Sequence, residues 1–537
     1  MPSRSASHDY ALAAASGILL ALSFPKYGHP AVAWIALTPL LVALSGEARI
    51  PKPESRPLGR AFLLGLLTGV VYFLGTLYWI TGVMAVYGGL QPWVAVVVNG
   101  ALIVYLALFP SVFAVVVRRI VIARGRLALM AAPLVWVATE LGRTYILTGF
   151  PWVLLGYSQT TVLPVAQFAS LFGVYGVSML VAAVSAALAL AAIGVHGPPE
   201  GGHYARFGGP PEGGHYGRLL PAAVVLAIVA GIAVWGSRRA ARAEWTRTGD
   251  PIRVGLIQGN IAQDEKMDAR RAGGSGTIFE SYLTMTRRAI GQGAAFVLWP
   301  ESATPFAFED DPLAASRVRR LAQDAGVSIL VGSDQIERTG ATFKYYNSAF
   351  LVRPDGTTGG TYRKMHLVPF GEYVPLKRVF FFAARLVEAV SDFSAGETAV
   401  LLPVGGHLVS TAICYEVVYP DLVRRFVAGG SEMLTTITND AWFGPTSAPH
   451  QHFEQASMRA IEEGRYLVRS ANTGISGIVD PYGHVVERSG IFQEAILVGE
   501  ARFLKTSTFY ARHGDVLAYA SVVATAALLV LARRRVK

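Results

Sequence analysis

Cysteine is almost absent from this sequence, because Cys414 is the single one among 537 residues. One cysteine excludes an intramolecular disulfide and a metal site built from several thiolates. It also leaves Cys414 without a second thiol in the chain with which to form a redox pair. If Cys414 is reactive, its chemistry must therefore be of another kind.

Charged residues are also scarce, at 15% of the chain, whereas hydrophobic residues make up 52%. A soluble protein carries about 25% charged residues. The net charge of +11 could indicate a nucleic-acid partner, but much of the excess lies in short arginine clusters beside apolar runs. Such clusters are topology signals and contacts for anionic headgroups. We therefore predict a membrane protein and expect no nucleic-acid partner.

Long apolar runs are the most frequent large-scale feature of the chain. Eight of them approach the length that crosses a bilayer, near residues 9–25, 31–46, 62–82, 92–117, 127–142, 165–194, 219–236 and 515–532. The first run is not expected to be a cleaved signal peptide, since further runs follow it and no small-residue cleavage site is evident. The pattern predicts a polytopic α-helical membrane protein with about eight spans.

Basic residues alternate between the loops that join these runs. The loops 47–61 and 118–126 and the C-terminal tail are rich in arginine and lysine, whereas the loops 26–30 and 83–91 contain only Lys26. The positive-inside rule places the basic loops in the cytoplasm. We therefore predict a seven-span membrane domain at 1–237, an extracytoplasmic domain at 238–512, and a last span with a basic cytoplasmic tail at 513–537. The arginines at 238–247 count against this orientation, but the rule is weak where a large domain begins.

A tandem repeat interrupts the membrane domain. The sequence Pro-Pro-Glu-Gly-Gly-His-Tyr occurs at 198–204 and again at 210–216. A solenoid needs at least three units with apolar faces, so we interpret 198–218 as a flexible cytoplasmic insert. His203 and His215 in the repeat are candidate metal ligands, but we expect neither a metal nor a cofactor in this protein.

Residues 251–505 have a different pattern from the rest of the chain. Short β-branched or apolar runs predict buried strands at 252–258, 295–299, 328–332, 347–353, 408–414, 433–438 and 466–470. Between them, helical patterns lie at 281–291, 313–325, 420–428 and 452–463. This alternation predicts an α/β domain with buried strands.

Three polar residues lie at or shortly after the ends of these predicted strands, namely Glu301, Lys364 and Cys414. A carboxylate can deprotonate a thiol, and an ammonium can stabilise the oxyanion of a tetrahedral intermediate. Taken singly, each residue also has an ordinary structural interpretation: a core cysteine, a solvated loop glutamate and a surface lysine.

The motifs around these residues resemble the nitrilase, or carbon–nitrogen hydrolase, superfamily. They are Trp-Pro-Glu at 299–301, Arg-Lys-Met-His-Leu-Val-Pro-Phe-Gly-Glu at 363–372, Cys-Tyr-Glu at 414–416 and Asn-Asp-Ala-Trp-Phe-Gly at 439–444. The resemblance implies a four-layer α–β–β–α sandwich and a catalytic triad of Glu301, Lys364 and Cys414.

Longer motifs and the apolar runs resemble the apolipoprotein N-acyltransferase family within that superfamily. The motifs are His-Leu-Val-Pro-Phe-Gly-Glu-Tyr-Val-Pro at 366–375, Gly-Phe-Pro-Trp at 149–152 and Gly-Tyr-Ser-Gln at 156–159. A nitrilase-like domain between a seventh and an eighth span also matches this family. The resemblance extends from about residue 10 to residue 533, except for the repeat insert.

This resemblance implies a ping-pong acyl transfer at the bacterial inner membrane, with the catalytic domain in the periplasm. A membrane phospholipid would be the acyl donor, and the α-amine of a diacylglyceryl-modified apolipoprotein would be the acceptor. Glu372, Glu416 and Tyr415 would support the triad, the glutamates by orienting Lys364 and the amine. Trp442 would line the pocket.

Three further residues are candidate substrate contacts. Met267 stands where the family often has an aromatic residue, so a mobile arm over the pocket would have to use methionine instead. Glu140 and Arg143, near the end of the fifth apolar run, could shape a lipid entrance. The alternative for these two is an ion pair with each other at the membrane interface.

Two other functions compete with acyl transfer. A membrane-anchored amidase would use water to resolve the thioester. A transporter with an external regulatory domain would show paired broken helices and internal symmetry across its spans, but no such repeat is evident and the charged residues lie near the span ends. The membrane runs favour a lipid substrate over both.

Overall fold

The computed structural model describes residues 6–46, 57–195, 216–266, 275–340, 342–369, 371–373 and 393–533. The chain forms two compact units. The first comprises Met1–Tyr78, Val98–Arg238 and Asp515–Lys537, and the second comprises Trp79–Val97 and Arg239–Gly514. The repeat at 198–215, including both of its histidines, and Met267 lie outside the described residues.

The first half of the chain consists of helices joined by turns and loops, with no strand among the residues that the structure describes before residue 250. In chain order the helices are α1 (Ala6–Ala21), α2 (Pro30–Ala36), α3 (Thr38–Gly46), α4 (Pro57–Leu77), α5 (Trp79–Val86), α6 (Pro92–Arg124), α7 (Ala132–Tyr145), α8 (Leu163–Ala166), α9 (Ala169–Val195) and α10 (Tyr216–Arg242). Helix α5 belongs to the second unit. Helix α1 packs on α3 and α4, and α9 packs on α3 and α7.

Five helices among the described residues are long and apolar enough to cross a membrane. Their spans are Leu58–Leu77, Pro92–Arg124, Ala169–Ile193, Leu219–Arg247 and Val516–Arg533. The other three predicted spans correspond to shorter elements, because α1 and α7 contain 16 and 14 residues and the second run is divided into α2 and α3. The count of about eight spans stays a prediction.

The second unit contains two six-stranded sheets among the residues that the structure describes. The first sheet has the order β12-β1-β2-β3-β4-β5 and the second has the order β11-β10-β9-β8-β7-β6. The strands are β1 (Asp250–Gln258), β2 (Phe296–Leu298), β3 (Ser328–Thr339), β4 (Thr342–Val352), β5 (Thr358–Arg363), β6 (Leu402–Val404), β7 (His407–Ile413), β8 (Met433–Thr438), β9 (Leu467–Ala471), β10 (Gly477–Val479), β11 (Val485–Arg488) and β12 (Ala495–Phe503).

Helices cover the outer faces of both sheets. Helices α11 (Ser275–Gly291) and α12 (Pro312–Ala325) pack on the first sheet, and α13 (Pro420–Ala428) and α14 (Ala448–Glu463) pack on the second. The sheets contact each other, for example through β1 with β9 and β4 with β7. The predicted α–β–β–α sandwich is therefore present. Short helix α15 (Phe509–His513) ends this unit, and α16 (Val516–Arg533) follows in the first unit.

A buried apolar core joins α11 and α12 to the first sheet. Trp299 is fully buried, packs against the rings of Tyr282 and Phe279, and donates from its indole N–H to the Thr286 hydroxyl at 2.8 Å. Burying a large aromatic side chain stabilises a fold by about 2–3 kcal/mol. Trp299 therefore anchors the start of the segment that leads from β2 to Glu301.

Candidate active site

Three side chains reach one region of the second unit from the ends of strands. Strands β1, β2 and β3 run parallel to one another, as do β7, β8 and β9. Glu301 ends the Trp-Pro-Glu segment after β2, Cys414 follows β7 directly, and Lys364 follows β5 directly. Glu301 and Lys364 lie close enough to Cys414 for their charges to shift the pKa of its thiol.

Lys364 is a buried cation between two carboxylates. Its Nζ lies 2.8 Å from Glu372 Oε1 and 3.3 Å from Glu301 Oε1, and only 1% of its side chain is exposed. Burial lowers the pKa of Lys364, but the charges of Glu372 and Glu301 raise it by more, so the pKa lies above its ordinary value. Lys364 is therefore an ammonium at neutral pH.

Donors hold both carboxylate oxygens of Glu301. Oε1 accepts a hydrogen bond from Asn347 Nδ2 at 2.7 Å, and Oε2 accepts one from the backbone N–H of Asn439 at 2.8 Å. The chain before Glu301 also passes close to β3, where a Cβ on Gly332 would lie 2.1 Å from the Pro300 carbonyl oxygen. Because a larger side chain would clash there, only glycine fits at 332. The hydrogen bonds to both oxygens give the Glu301 carboxylate a fixed orientation.

Cys414 occupies a backbone conformation that residues with side chains seldom adopt. Its φ is 52°, at the junction of β7 and the 3₁₀ turn Cys414–Val418, and such strained positions are frequent at active sites. Burial raises the pKa of the Cys414 thiol, the charge of Glu301 raises it further, and Lys364 opposes both. The resting thiol is therefore protonated and needs a base to become a nucleophile.

Glu372 and Glu416 have different partners. Glu372 contacts Lys364 through Oε1 and accepts from the backbone N–H of Val368 through Oε2 at 2.8 Å. Glu416 accepts from the hydroxyl of Tyr362 at 2.7 Å and from three backbone N–H groups, those of Met365, His366 and Ile413, at 2.7, 3.0 and 2.7 Å. Burial raises the pKa of Glu416 to about 7, and these hydrogen bonds oppose the rise. Glu416 thus fixes the backbone on both sides of the site, whereas Glu372 orients the ammonium.

Tyr415 belongs to a small aromatic cluster beside the thiol. Its hydroxyl accepts from the Tyr419 hydroxyl at 3.1 Å, and the two rings meet edge to face. The His366 ring lies against Tyr419, with ring centroids 3.9 Å apart. Burial lowers the pKa of His366 to about 4, and the nearby ammonium of Lys364 lowers it too. This cluster is therefore uncharged at neutral pH.

Buried amides connect the site to the segment after β1. Asn439 Nδ2 donates to Gln263 Oε1 at 2.8 Å, and Asn472 Nδ2 donates to Asn439 Oδ1 at 2.9 Å. We did not predict roles for Gln263, Asn472 or Asn347. The motif at 439–444 was a signal for Asn439, but the other three amides lie in no pattern that a single sequence makes visible.

Trp442 lies in the turn after β8 and contacts a segment from far earlier in the chain. Its ring packs edge to face on that of Tyr87, with ring centroids 5.3 Å apart. The Tyr87 hydroxyl donates to the Ala441 carbonyl at 3.1 Å. Trp79 packs in the same way on Phe443, at 4.9 Å. Residues 79–97, which we had assigned to the membrane domain, thus support the turn that contains Trp442.

Glu140 and Arg143 lie in the first unit, each with 3% exposure. Glu140 Oε1 accepts from the Leu155 N–H at 2.6 Å, and Arg143 donates to the Trp152 carbonyl at 2.8 Å. Both side chains therefore hold the loop that contains the Gly-Phe-Pro-Trp motif. A role for either residue in a lipid entrance stays a prediction.

The candidate site contains donors suited to acid–base and nucleophilic chemistry. Among the described residues, no group of three or more His, Cys, Asp or Glu side chains is arranged to hold a metal ion. The site instead combines a protonated thiol, a fixed carboxylate and a permanent ammonium, which are the components of covalent acyl transfer.

Comparisons with known proteins match both parts of the chain. Residues 16–187 match the family model of the apolipoprotein N-acyltransferase N-terminal domain, and residues 253–506 match that of carbon–nitrogen hydrolase. The apolipoprotein N-acyltransferase of Geobacter metallireducens is 42% identical over 98% of this chain and 96% of its own length. That of Methylococcus capsulatus is 35% identical over 94% of this chain and 92% of its own length.

A solved amidase from a Nesterenkonia species aligns with 51% of this chain and 97% of its own, at 22% identity and a TM-score of 0.37. The ranges matched by the two family models contain the motifs at 149–159, 299–301, 363–375 and 414–416. The chain therefore belongs to the apolipoprotein N-acyltransferase family.

Proposed function

We propose that this protein transfers an acyl chain from a membrane phospholipid, through a thioester on Cys414, to the N-terminal α-amine of a diacylglyceryl-modified apolipoprotein. The observation that carries the proposal is the buried contact of the Lys364 ammonium with Glu301 and Glu372 beside the only thiol of the chain. Relatives named for this activity match over nearly the whole chain. Both products of the reaction carry acyl chains, in keeping with the five helices among the described residues that are long enough to span a membrane.

In the first half-reaction Glu301 takes the proton of the Cys414 thiol. The thiolate sulfur attacks the ester carbonyl carbon of the phospholipid, and a tetrahedral oxyanion forms beside the Lys364 ammonium. When the C–O bond breaks, the proton on Glu301 passes to the leaving oxygen, and lysophospholipid departs. The carboxylate, the ammonium and the thioester remain, so the base is ready for a second use.

In the second half-reaction the α-amine of the apolipoprotein attacks the thioester carbon. Glu301 accepts a proton from the amine, and Lys364 again faces the oxyanion. The C–S bond then breaks, the amide leaves, and the proton on Glu301 returns to the sulfur of Cys414. Glu372 keeps Lys364 charged and in place through both steps, since its Oε1 lies 2.8 Å from Nζ.

The membrane helices suit a reaction in which both substrates are anchored by acyl chains. Pulling a chain from the bilayer into water costs about 0.8 kcal/mol for each exposed methylene. A site at the bilayer surface avoids most of that cost. We place residues 238–512 on the periplasmic side of the inner membrane, because the loops 47–61 and 118–126 are basic and the alternate loops are not.

Reporter fusions test this orientation. A fusion near residue 250 should report the periplasm and one near residue 210 the cytoplasm, since one predicted span separates them. If both reporters were active on the same side, the proposed orientation would be wrong, although the acyl-transfer chemistry could still be measured in detergent.

The proposed chemistry is tested by the mass of the intact protein. Incubation with phospholipid alone should add one acyl group to Cys414, and subsequent diacylglyceryl peptide should remove it with formation of an N-acyl peptide. A wild-type enzyme that never gains the acyl mass would refute the thioester. Release of the acyl group as free fatty acid, with no acylated peptide, would instead favour the hydrolase alternative.

A further inference from the structure

A second buried cluster lies beneath Cys414 and has no role in the steps above. Asp440, His452 and Arg469 are all fully buried. Asp440 Oδ1 lies 3.0 Å from His452 Nδ1, and Asp440 Oδ2 accepts from Arg469 Nη2 at 3.0 Å. On its other side, His452 Nε2 lies 3.1 Å from the carbonyl oxygen of Cys414. The cluster therefore ends on the backbone of the strained residue itself.

The geometry determines where His452 carries a proton. A backbone carbonyl only accepts hydrogen bonds, so Nε2 must be the donor to Cys414. Arg469 Nη2 also lies 3.0 Å from Nδ1 and can donate to its lone pair, which leaves the neutral ring with its proton on Nε2. If Nδ1 were protonated as well, it would donate to Asp440, and Nε2 would still be a donor.

The residues around this cluster leave space for its side chains and supply their hydrogen-bond partners. A Cβ on Gly474 would lie 2.1 Å from Asp440 Oδ2, so only glycine leaves space for the carboxylate there. Arg469 also donates from Nε to the Ile475 carbonyl at 3.1 Å, and the Thr438 hydroxyl donates to Asp440 Oδ1 at 2.8 Å. Each charged member therefore has fixed partners, as buried charges require.

We propose that His452, held by Asp440 and Arg469, is a positioning residue that fixes the peptide plane between Cys414 and Tyr415 for acyl transfer. The inference rests on the proposed role of Cys414 as nucleophile. Because the peptide is planar and trans, holding its carbonyl toward His452 turns the N–H of Tyr415 to the opposite side. This plane adjoins the place where the oxyanion develops. The φ of 52° at Cys414 is strained and persists only where neighbouring contacts enforce it.

The single thiol allows this role to be separated from a general loss of structure. Alkylation of Cys414 by iodoacetamide displaces iodide from a saturated carbon and develops no oxyanion. Acylation by phospholipid passes through a tetrahedral oxyanion, whose stabilisation by one fixed donor changes rates by about 100- to 1000-fold. Misplacement of the peptide plane should therefore slow acylation selectively.

His452→Asn and His452→Gln form a matched pair of variants. The short amide of asparagine can reach Asp440 but not the Cys414 carbonyl, whereas the longer amide of glutamine can place a donor near the position of Nε2. We expect H452N to lower the rate of acyl-enzyme formation by about 100-fold and H452Q to recover most of it. The alkylation rate should stay within about twofold of wild type in both variants, because a residue that acts only through the oxyanion does not affect a reaction that forms none.

His407 supplies the control, because it is another histidine paired with carboxylates, although it is only partly buried. It begins the same strand β7, with Nδ1 2.7 Å from Glu432 Oε2 and Nε2 3.1 Å from Asp250 Oδ2. H407N should leave acylation and alkylation unchanged. If H452N does not accumulate as folded protein, His452→Phe replaces it, because phenylalanine keeps an aromatic ring at this position but has no donor. We expect the same loss of acylation for H452F as for H452N.

Two outcomes would overturn the inference: acylation of H452N at the wild-type rate, or equal losses of acylation and alkylation. Both assume that wild-type Cys414 gains an acyl group. Failure of wild-type acylation would instead refute the proposed function, so the two failures are distinguishable.

Discussion

Replacing Cys414 with alanine is expected to abolish both acyl-enzyme formation and transfer to the peptide. The chain contains no other thiol, so no second sulfur can accept the acyl group. Loss of a catalytic nucleophile lowers turnover by about 10⁴-fold or more. The measurement is the mass of the protein after incubation with phospholipid, followed by the yield of N-acyl peptide.

Cys414→Ser extends this prediction. A hydroxyl is far harder than a thiol to deprotonate by a carboxylate, so the serine variant should also fail. Thermal unfolding of both variants should remain close to that of wild type, because the thiol side chain is small and donates no strong hydrogen bond. Peptide acylation by C414A at a measurable fraction of the wild-type rate would exclude Cys414 as the nucleophile.

Glu301→Gln should slow thioester formation by about 10²- to 10⁴-fold, the usual effect of losing a general base. The amide keeps the shape of the side chain but cannot accept the proton of the thiol. Glu309→Gln is a suitable control, since Glu309 pairs with Arg319 on a partly exposed surface of the same unit. The measurement is the rate of acyl addition to Cys414 with phospholipid in excess.

The residual activity of E301Q should depend on pH in a defined direction. Burial is the largest cause of the raised thiol pKa, and it persists in the variant even though one neighbouring negative charge is removed. Without a base, only thiolate that has already formed can react. While the pH is below the thiol pKa, the thiolate fraction rises about tenfold for each unit by which the pH increases. The residual rate should therefore increase with pH between 7 and 9. A wild-type rate in E301Q at pH 7 would mean that another group is the base.

The central strands of the catalytic unit could be predicted from the sequence because they are short runs of β-branched or apolar residues, most of them buried. The runs at 252–258, 433–438 and 466–470 coincide closely with β1, β8 and β9. Strands β6, β10 and β11 are short, and β12 is a partly exposed edge strand paired with β1, so their patterns are weak. Such strands form because a neighbouring strand is already in place, which is information that local sequence lacks.

Within the site, the predictable residues are those whose motifs carry chemistry. Glu301, Lys364 and Cys414 follow strands in a recognisable order, and Glu372 lies in the same long motif as the lysine. Asn347 could not be predicted, because it lies within β4 and its partners come from two distant segments. The partners of Glu416 were also unforeseen, since three of its four donors are backbone N–H groups. Backbone positions depend on tertiary folding and leave no signature in side-chain identity.

The contact of Lys364 with two carboxylates has a consequence for how charge is conserved during turnover. One ammonium and two carboxylates give the three side chains one net negative charge while the thiol is neutral. Moving the proton from Cys414 to Glu301 relocates that charge without creating or removing any, so a low-dielectric interior opposes the step less than it would oppose a separate ionisation. In the acyl-enzyme the same net negative charge would attract an acceptor that arrives as an ammonium ion, and it would raise the pKa of the acceptor amine. The acceptor would thus be drawn in by its charge and must give up a proton before it can react.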